Sequence, residues 1–218
     1  MVSATSFELP EFISGEEISK KIGHIQQDTK LIVFDLDETI LSHKLYVYER
    51  IILGFHLTRI HTFSSDEERQ ILDYMKLSGA DGVLTYIKSV LLPSVSMAEM
   101  LGVLRDRNLK INSKLERANA REVLNYLMLL YEVVICTNGN KKQQESKIEY
   151  LTNLVGRKIP TFYCADSKPK PEPDCLIQAM LSYQPRECIF IGDSLSDAMA
   201  AKATGTNFLY VTEIEKCP

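Results

Sequence analysis

Short apolar runs alternate with amphipathic segments along most of this chain. The run at residues 31–34 is too short for a helix and too continuous for a half-exposed strand, so it predicts a strand buried on both faces. A second buried strand is predicted at 132–137 and a further strand at 188–191. Shorter strands are predicted at 161–164 and 207–211. The segments between strands repeat apolar residues at helical spacing, with helices predicted from about residue 117 to 130 and from 174 to 181. Strands that alternate with helices predict an α/β fold with a parallel sheet.

One long helical stretch interrupts this alternation. Between the first and second predicted strands, residues 41–116 show only helical patterns. Serine with glutamate three residues later marks the helix starts at Ser14, Ser65 and Ser96, as in capping boxes. A further helix is predicted from about residue 81 to 92, before Pro93. The sequence therefore predicts a core domain of residues 1–40 and 117–218 and an inserted helical domain of residues 41–116.

Composition excludes several classes of protein. The 218 residues are 45% hydrophobic and carry a net charge of -4, with the basic residues scattered. This is typical of a globular protein and argues against a nucleic-acid surface. No segment resembles a signal peptide or a membrane span, and five cysteines without CxxC spacing suit a reducing compartment. We expect a cytoplasmic protein without a membrane or nucleic-acid partner.

Candidate chemistry lies at the carboxyl ends of the predicted strands, where ligands bind in open α/β sheets. Asp35 and Asp37 follow the first strand on the same side of the chain, so they can divide the work of nucleophile and general acid. The other polar clusters are Thr137-Asn138-Gly139, Lys168-Pro169-Lys170-Pro171-Glu172-Pro173-Asp174, and Gly192-Asp193-Ser194-Leu195-Ser196-Asp197. Four carboxylates in one pocket require a cation, and oxygen ligands without nearby His or Cys favour Mg²⁺ over zinc.

These clusters resemble, in order and spacing, the four motifs of the haloacid dehalogenase (HAD) superfamily. Phe34–Thr39 matches DxDxT, Thr137-Asn138-Gly139 follows a hydrophobic strand, Lys170 lies in KPxPD, and Gly192-Asp193-Ser194 precedes Asp197. Each motif alone is weak, but four in order are specific. The resemblance covers residues 30–211 and implies a three-layer Rossmann-like core, the HAD fold.

The resemblance also implies a role for each motif residue. Asp35 would be the nucleophile that takes the phosphoryl group, and Asp37 would protonate the leaving oxygen and then activate water. Thr137 and the Asn138 amide would bind phosphoryl oxygens, and Lys170 would bridge the phosphate and Asp35. Mg²⁺ would be held by the Asp35 and Asp193 carboxylates and the Asp37 backbone carbonyl. Asp197 would support the metal or Lys170. Lys168 is the competing candidate for the third motif, although the KPxPD register favours Lys170.

Two positions next to the nucleophile refine this expectation. Dehalogenating members of the family lack an acid at the position of Asp37, so its presence indicates phosphoryl chemistry. Glu38 departs from the glycine that is common at its position, which leaves the subfamily open but not the reaction.

The position of the helical insertion resembles the C1 cap, whose members mostly act on small phosphorylated metabolites. The expected function is a magnesium-dependent phosphatase that forms an aspartyl phosphate. One alternative is a phosphotransferase of the β-phosphoglucomutase type, in which a sugar hydroxyl replaces water. A second is a regulatory module that keeps the fold without turnover. The oligomeric state is left open.

Overall fold

The structure is a computed structural model, which describes residues 9–80, 82–106, 114–180 and 182–216. The described residues form two compact units. One, the sheet unit, comprises those of Leu9–Leu41 and Glu116–Pro218, and the other, the helical unit, comprises those of Ser42–Leu115. Within the described residues, no helix combines the length and apolar character that a membrane crossing requires.

The elements follow one another in the alternating order that the hydrophobic pattern predicts. In chain order they are α1 (Gly15–Ile25), β1 (Leu31–Phe34), α2 (His43–Leu57), α3 (Ser65–Ser78), α4 (Val83–Tyr86), α5 (Met97–Arg105), α6 (Ala120–Leu130), β2 (Glu132–Thr137), α7 (Lys141–Val155), β3 (Thr161–Tyr163), α8 (Asp174–Ala179), β4 (Cys188–Gly192), α9 (Leu195–Thr204) and β5 (Asn207–Tyr210).

The predicted parallel α/β sheet is confirmed. Its five strands have the order β3-β2-β1-β4-β5, and every neighbouring pair is parallel. Helices α8 and α9 pack on one face of the sheet, while α6 and α7 pack on the other, with α1 against α6. The central strand β1 is completely buried, as its continuous apolar run predicts. Because β1 lies between β2 and β4, the carboxyl ends of these three strands are neighbours.

Two predicted helix starts are confirmed and one is wrong by a single residue. Ser14 with Glu17, and Ser96 with Glu99, form reciprocal capping boxes. The box of α3 uses Ser64 with Glu67 rather than the predicted pair of Ser65 with Glu68. Both pairs have the spacing of a capping box, so the sequence alone does not choose between them.

Other boundaries differ where the chain departs from regular helix geometry. The helix predicted at 81–92 consists of α4 followed by a π-helical turn, Ile87–Leu91, and Asp81 lies outside the described residues. Helix α6 was expected from about Arg117 but begins at Ala120, because Asn119 has a left-handed φ of 64°. Helix α8 ends at Ala179, and Leu181 of the predicted span lies outside the described residues.

The helical unit contains a buried cation that its apolar pattern does not predict. Helix α2 packs against α3 and α5, and Arg50 is only 1% exposed at its centre. The Arg50 guanidinium donates to the backbone carbonyls of Val103 and Asp106, at the end of α5. A buried guanidinium requires such acceptors, so Arg50 ties the two helices together.

Arg117 anchors the point at which the chain leaves and re-enters the sheet unit. Its backbone N–H donates to Ile40 O at 2.9 Å, and its side chain is 1% exposed. The guanidinium donates to Glu38 O and Thr39 O at 3.1 and 2.9 Å, and it pairs with Glu215 at 2.7 Å. Arg117 therefore fixes the loop that follows β1 from the side of the returning chain.

We predict that Arg117→Met lowers the free energy of unfolding by about 3–5 kcal/mol, since it breaks a buried ion pair and leaves loop carbonyls without a donor. Urea unfolding monitored by circular dichroism measures the change. Arg121→Met, at an exposed position on α6, is the matched control and should change stability little. Equal stabilities of the two variants would contradict the anchoring role.

Candidate active site

The predicted functional residues converge where β1, β2 and β4 end. Asp35 directly follows β1, Thr137 is the last residue of β2, and Asp193 directly follows β4. The backbone N–H of Asp35 donates to Ile191 O at 2.8 Å, which ties the end of β1 to β4. Parallel pairing brings these positions to one edge of the sheet, as expected for a ligand site in an open α/β fold.

Lys170 is the centre of this site. Its Nζ lies 2.5 Å from Asp35 Oδ1 and 2.6 Å from Asp197 Oδ1, and it also donates to Cys136 O at 3.1 Å. The Lys170 side chain is 2% exposed. Burial opposes its charge, but Asp35 and Asp197 outweigh burial and raise the pKa of Lys170. Lys168, the competing candidate, is exposed, so the structure brings Lys170 to Asp35 and leaves Lys168 outside.

Asp35 is a buried carboxylate that lies close to two other carboxylates, those of Asp193 and Asp197. Burial raises the pKa of Asp35 to about 7, although Lys170 acts in the opposite direction, and Asp197 raises it further. Thr39 Oγ1 lies 3.4 Å from Asp35 Oδ2 and 3.3 Å from Asp193 Oδ1, so it lies between the two carboxylates. Burial, followed by Asp197, also raises the pKa of Asp193.

The carboxylates provide a suitable donor set for a hard cation. Oxygen atoms of Asp35, Asp193 and Asp197 lie within 4.8 Å of one another, and Lys170 is the cation paired with two of them. A divalent cation with oxygen preference, such as Mg²⁺, would favour the ionised carboxylates. Lys170 and Ser194 contact the two oxygens of Asp197, whereas Lys170 pairs with Oδ1 of Asp35 and Oδ2 lies beside Thr39 with Asp193 Oδ1. Asp35 and Asp193 are therefore the carboxylates that fit this role.

Asp197 reaches Lys170 because of the local structure at the start of α9. Its Oδ2 accepts from the Ser194 N–H at 3.1 Å and from Ser194 Oγ at 2.5 Å, in a capping box. A Cβ at Gly192 would lie only 2.7 Å from Asp197 Oδ2. The glycine of the fourth motif is therefore required for the close approach of Asp197 to the end of β4.

Asp37 has its side-chain partners on helix α7. Lys147 Nζ lies 2.5 Å from Asp37 Oδ1, and Gln144 Nε2 donates to Asp37 Oδ2 at 2.8 Å. The Lys147 side chain is completely buried, whereas that of Asp37 is 25% exposed. Burial lowers the pKa of Lys147 against the opposing effect of Asp37. The two aspartates of the first motif thus have different cationic partners.

The second and third motifs are joined through Asn138. Its side chain donates to Lys170 O at 3.2 Å and accepts from the Lys170 N–H at 2.9 Å. Thr137 is 1% exposed and donates to Asn138 O at 3.2 Å. Gly139 has a φ of 106°, and a Cβ there would lie 2.7 Å from Gln144 Nε2. The Asn138 amide side chain therefore positions the backbone that carries Lys170.

The sequence analysis missed Gln144, Lys147 and Arg117. On α7 the buried positions are Gln144, Lys147, Ile148, Leu151 and Val155. Two polar residues thus continue the apolar stripe of an amphipathic helix, and this is a signal that the sequence contains. Arg117 gives no comparable signal, because its partners come from residues distant along the chain.

Comparison with known proteins identifies a family whose model matches most of this chain. The family model described as haloacid dehalogenase-like hydrolase matches residues 29–205. A phosphoglycolate phosphatase of Vibrio vulnificus (strain CMCP6) is 30% identical over 208 residues, with coverage of 83% of this chain and 82% of the relative. Residues 29–205, which the family model matches, contain all four polar clusters.

Solved structures share the fold at lower identity. The HAD-hydrolase YfnB from Bacillus subtilis, bound to magnesium, has a TM-score of 0.62 and 18% identity, covering 84% of this chain and 86% of that one. CbbY from Rhodobacter sphaeroides, in complex with phosphate, has a TM-score of 0.54 and 16% identity, covering 84% and 85%. At these identities the similarity supports the α/β fold alone.

The backbone conformation of Glu38 predicts a difference in stability between two variants of the loop after β1. Glu38 has a φ of 57°, a left-handed conformation that costs a residue with a Cβ about 1–2 kcal/mol. We predict that Glu38→Gly has a free energy of unfolding about 1 kcal/mol above that of Glu38→Ala. Both variants lose the same carboxylate, so the difference in urea unfolding isolates the Cβ. An alanine variant as stable as the glycine variant would contradict the strain.

Proposed function

The chain belongs to the haloacid dehalogenase-like hydrolases and is a phosphatase, and from this premise we propose that it is magnesium-dependent and hydrolyses phosphomonoesters of a small metabolite through an aspartyl phosphate. The observation that carries the proposal is the buried Lys170, which contacts both Asp35 and Asp197. A fixed cation beside a buried carboxylate can offset the charge of an approaching phosphoryl group.

Asp35 is the proposed nucleophile. Its carboxylate attacks phosphorus, the ester P–O bond breaks, and the departing oxygen receives a proton from Asp37. Lys170 holds Asp35 Oδ1 at 2.5 Å and limits the repulsion between the carboxylate and the incoming phosphate. Thr137 and the backbone N–H of Asn138 are the proposed donors to the phosphoryl oxygens, at the end of β2.

Asp37 is the proposed general acid and base. After it has given its proton to the leaving oxygen, it accepts one from water, whose oxygen attacks the phosphoryl group and releases Asp35. Its partial exposure and its fixed contacts with Lys147 and Gln144 support this role, since a proton carrier must be both positioned and accessible.

Mg²⁺ is the proposed cofactor, with the Asp35 and Asp193 carboxylates and the Asp37 backbone carbonyl as its ligands. The close approach of the carboxylates around a single lysine supports it. When bound, the ion would supply further neutralisation of charge on the transferred phosphoryl group.

The substrate class follows from the insertion and from the relatives. We propose that the helical unit is a cap of the C1 type, because it is inserted between β1 and β2. The relatives named phosphoglycolate phosphatase support a small phosphorylated acid as the first substrate to test. The buried free thiols of Cys136, Cys164, Cys175 and Cys188 support a reducing compartment such as the cytoplasm.

The proposed function predicts phosphate release that depends on Mg²⁺. We expect the chain to hydrolyse at least one member of a panel of phosphoglycolate, sugar phosphates and nucleoside monophosphates, and to lose this activity with chelator. Asp35→Asn should reduce turnover at least about a thousandfold, and Asp37→Asn about a hundredfold or more. Asp28→Asn, at an exposed position outside the site, is the control. Phosphoryl transfer to sugars without release to water would favour the mutase alternative.

A further prediction concerns Lys147 as a positioning residue for Asp37. We expect Lys147→Met to reduce turnover of alkyl phosphates about tenfold more than that of p-nitrophenyl phosphate, because a nitrophenolate leaves with little need for a proton. Lys142→Met, at an exposed position on the same helix, should affect both substrates equally. Equal losses for both substrates in Lys147→Met would show that Lys147 supports only the fold.

A further inference from the structure

Three cysteines that are distant along the chain meet beneath the candidate active site. Cys136 lies in β2, Cys164 directly follows β3, and Cys175 lies in the first turn of α8. The Cys136 and Cys175 sulfurs are 3.0 Å apart, and those of Cys136 and Cys164 are 3.8 Å apart. All three thiols are free and buried. Cys136 therefore has a neighbouring thiol on two sides.

The surroundings of this thiol cluster favour neutral sulfur chemistry over a metal ion. The three cysteines belong to an apolar core cluster that includes Leu31, Val33 and Leu176. Three thiolates around a monovalent or divalent ion would leave a net negative charge in this core, which is costly. A disulfide is uncharged, and its sulfurs are about 2.05 Å apart, so the 3.0 Å pair needs only a small approach.

The thiols differ in how readily they ionise. Hydrogen bonds from Cys136 and Cys175, with a further effect of Lys170, hold the pKa of the Cys164 thiol below its usual range. Hydrogen bonds to Cys164 and Cys175 raise the pKa of Cys136. The thiolate is the form of cysteine that reacts with oxidants, and the Cys164 sulfur is also a direct neighbour of the Cys136 sulfur at 3.8 Å. Together these features favour Cys164 as the entry point for oxidation.

We propose that this cluster is a thiol-oxidation site, at which hydrogen peroxide converts Cys136 and Cys175 into a disulfide by way of Cys164. The Cys164 thiolate attacks a peroxide oxygen, the O–O bond breaks, and hydroxide leaves a sulfenic acid on Cys164. The Cys136 sulfur then attacks the Cys164 sulfur, the S–O bond breaks, and water leaves with the Cys136 proton.

Thiol–disulfide exchange completes the reaction. The Cys175 sulfur attacks the Cys136 sulfur, Cys164 leaves as a thiolate, and the Cys175 proton neutralises the hydroxide from the first step. In sum, two thiols lose two electrons and one peroxide becomes two waters. Cys164 ends in its starting form, so it acts as the entry point and not as a partner in the final disulfide.

The proposed disulfide is coupled to the active site, and this part rests on the proposed function. The carbonyl of Cys136 accepts a hydrogen bond from Lys170 Nζ at 3.1 Å, and Thr137 is the next residue. Cys175 follows the Pro-rich loop that carries Lys170. Drawing the Cys136 and Cys175 sulfurs together would displace the Cys136 carbonyl that Lys170 contacts and the loop that carries Lys170. Displacements of this kind in an active site reduce turnover strongly.

The test treats the full chain with hydrogen peroxide, blocks the remaining thiols, and maps disulfides by peptide mass spectrometry. We expect loss of two hydrogen atoms per chain and a Cys136–Cys175 linkage that dithiothreitol reverses. Cys175→Ala should trap a Cys136–Cys164 linkage, Cys164→Ala should slow oxidation, and Cys136→Ala should abolish both linkages. Cys188→Ala is the control, because the Cys188 sulfur donates to Gln184 O and is not part of the thiol cluster of Cys136, Cys164 and Cys175.

The outcomes separate this site from the phosphatase proposal. Mapping reads the disulfide without reference to turnover, and we expect oxidised chain to lose about tenfold or more of its phosphate release, with recovery in dithiothreitol. No linkage within the cluster, linkage elsewhere, or stoichiometric zinc or copper on the untreated protein would overturn the proposal. A mapped disulfide with unchanged turnover would overturn its coupling to Lys170. Absence of turnover in untreated protein would contradict only the phosphatase mechanism.

Discussion

The ion-pair network around Lys170 is the interaction on which the candidate site depends. One buried ammonium group contacts Asp35 from the end of β1, Asp197 from α9, and the carbonyl of Cys136 from β2. Two buried carboxylates repel each other unless a cation lies between them. The same lysine therefore allows Asp35 to be buried, fixes its orientation and joins three elements at the carboxyl edge of the sheet.

Two other buried cations of the sheet unit, Arg117 and Lys147, fix groups in the loop after β1. Arg117 satisfies the carbonyls of the loop after β1 and pairs with Glu215, while Lys147 pairs with Asp37. A buried charge is stable only with a well-placed partner, so each cation restricts the geometry of the group that it contacts. Arg117 thus fixes the backbone of the first-motif loop, and its two aspartates have different cationic partners, Lys170 for Asp35 and Lys147 for Asp37.

The sequence predicted the strands, their parallel arrangement and most helix starts, because these depend on local apolar spacing and on serine caps. It did not resolve the choice between adjacent capping pairs at Ser64 and Ser65, where two registers satisfy the same rule. It also missed Gln144 and Lys147, since a polar residue on a buried helix face has no meaning until its partner is known. The roles of the motif residues are still predictions, although the structure brings Asp35, Lys170 and Asp193 to one edge of the sheet.

By itself the sequence determined the fold class and the polar residues that end each strand, since hydrophobic periodicity and strand-end motifs are properties of neighbouring positions. Only the tertiary structure decided which charges meet: Lys170 rather than Lys168 with Asp35, and Lys147 with Asp37. It also brought Cys136 and Cys175 into contact. Coulomb interactions and sulfur chemistry act over a few ångströms in space, and separation along the chain does not report that distance.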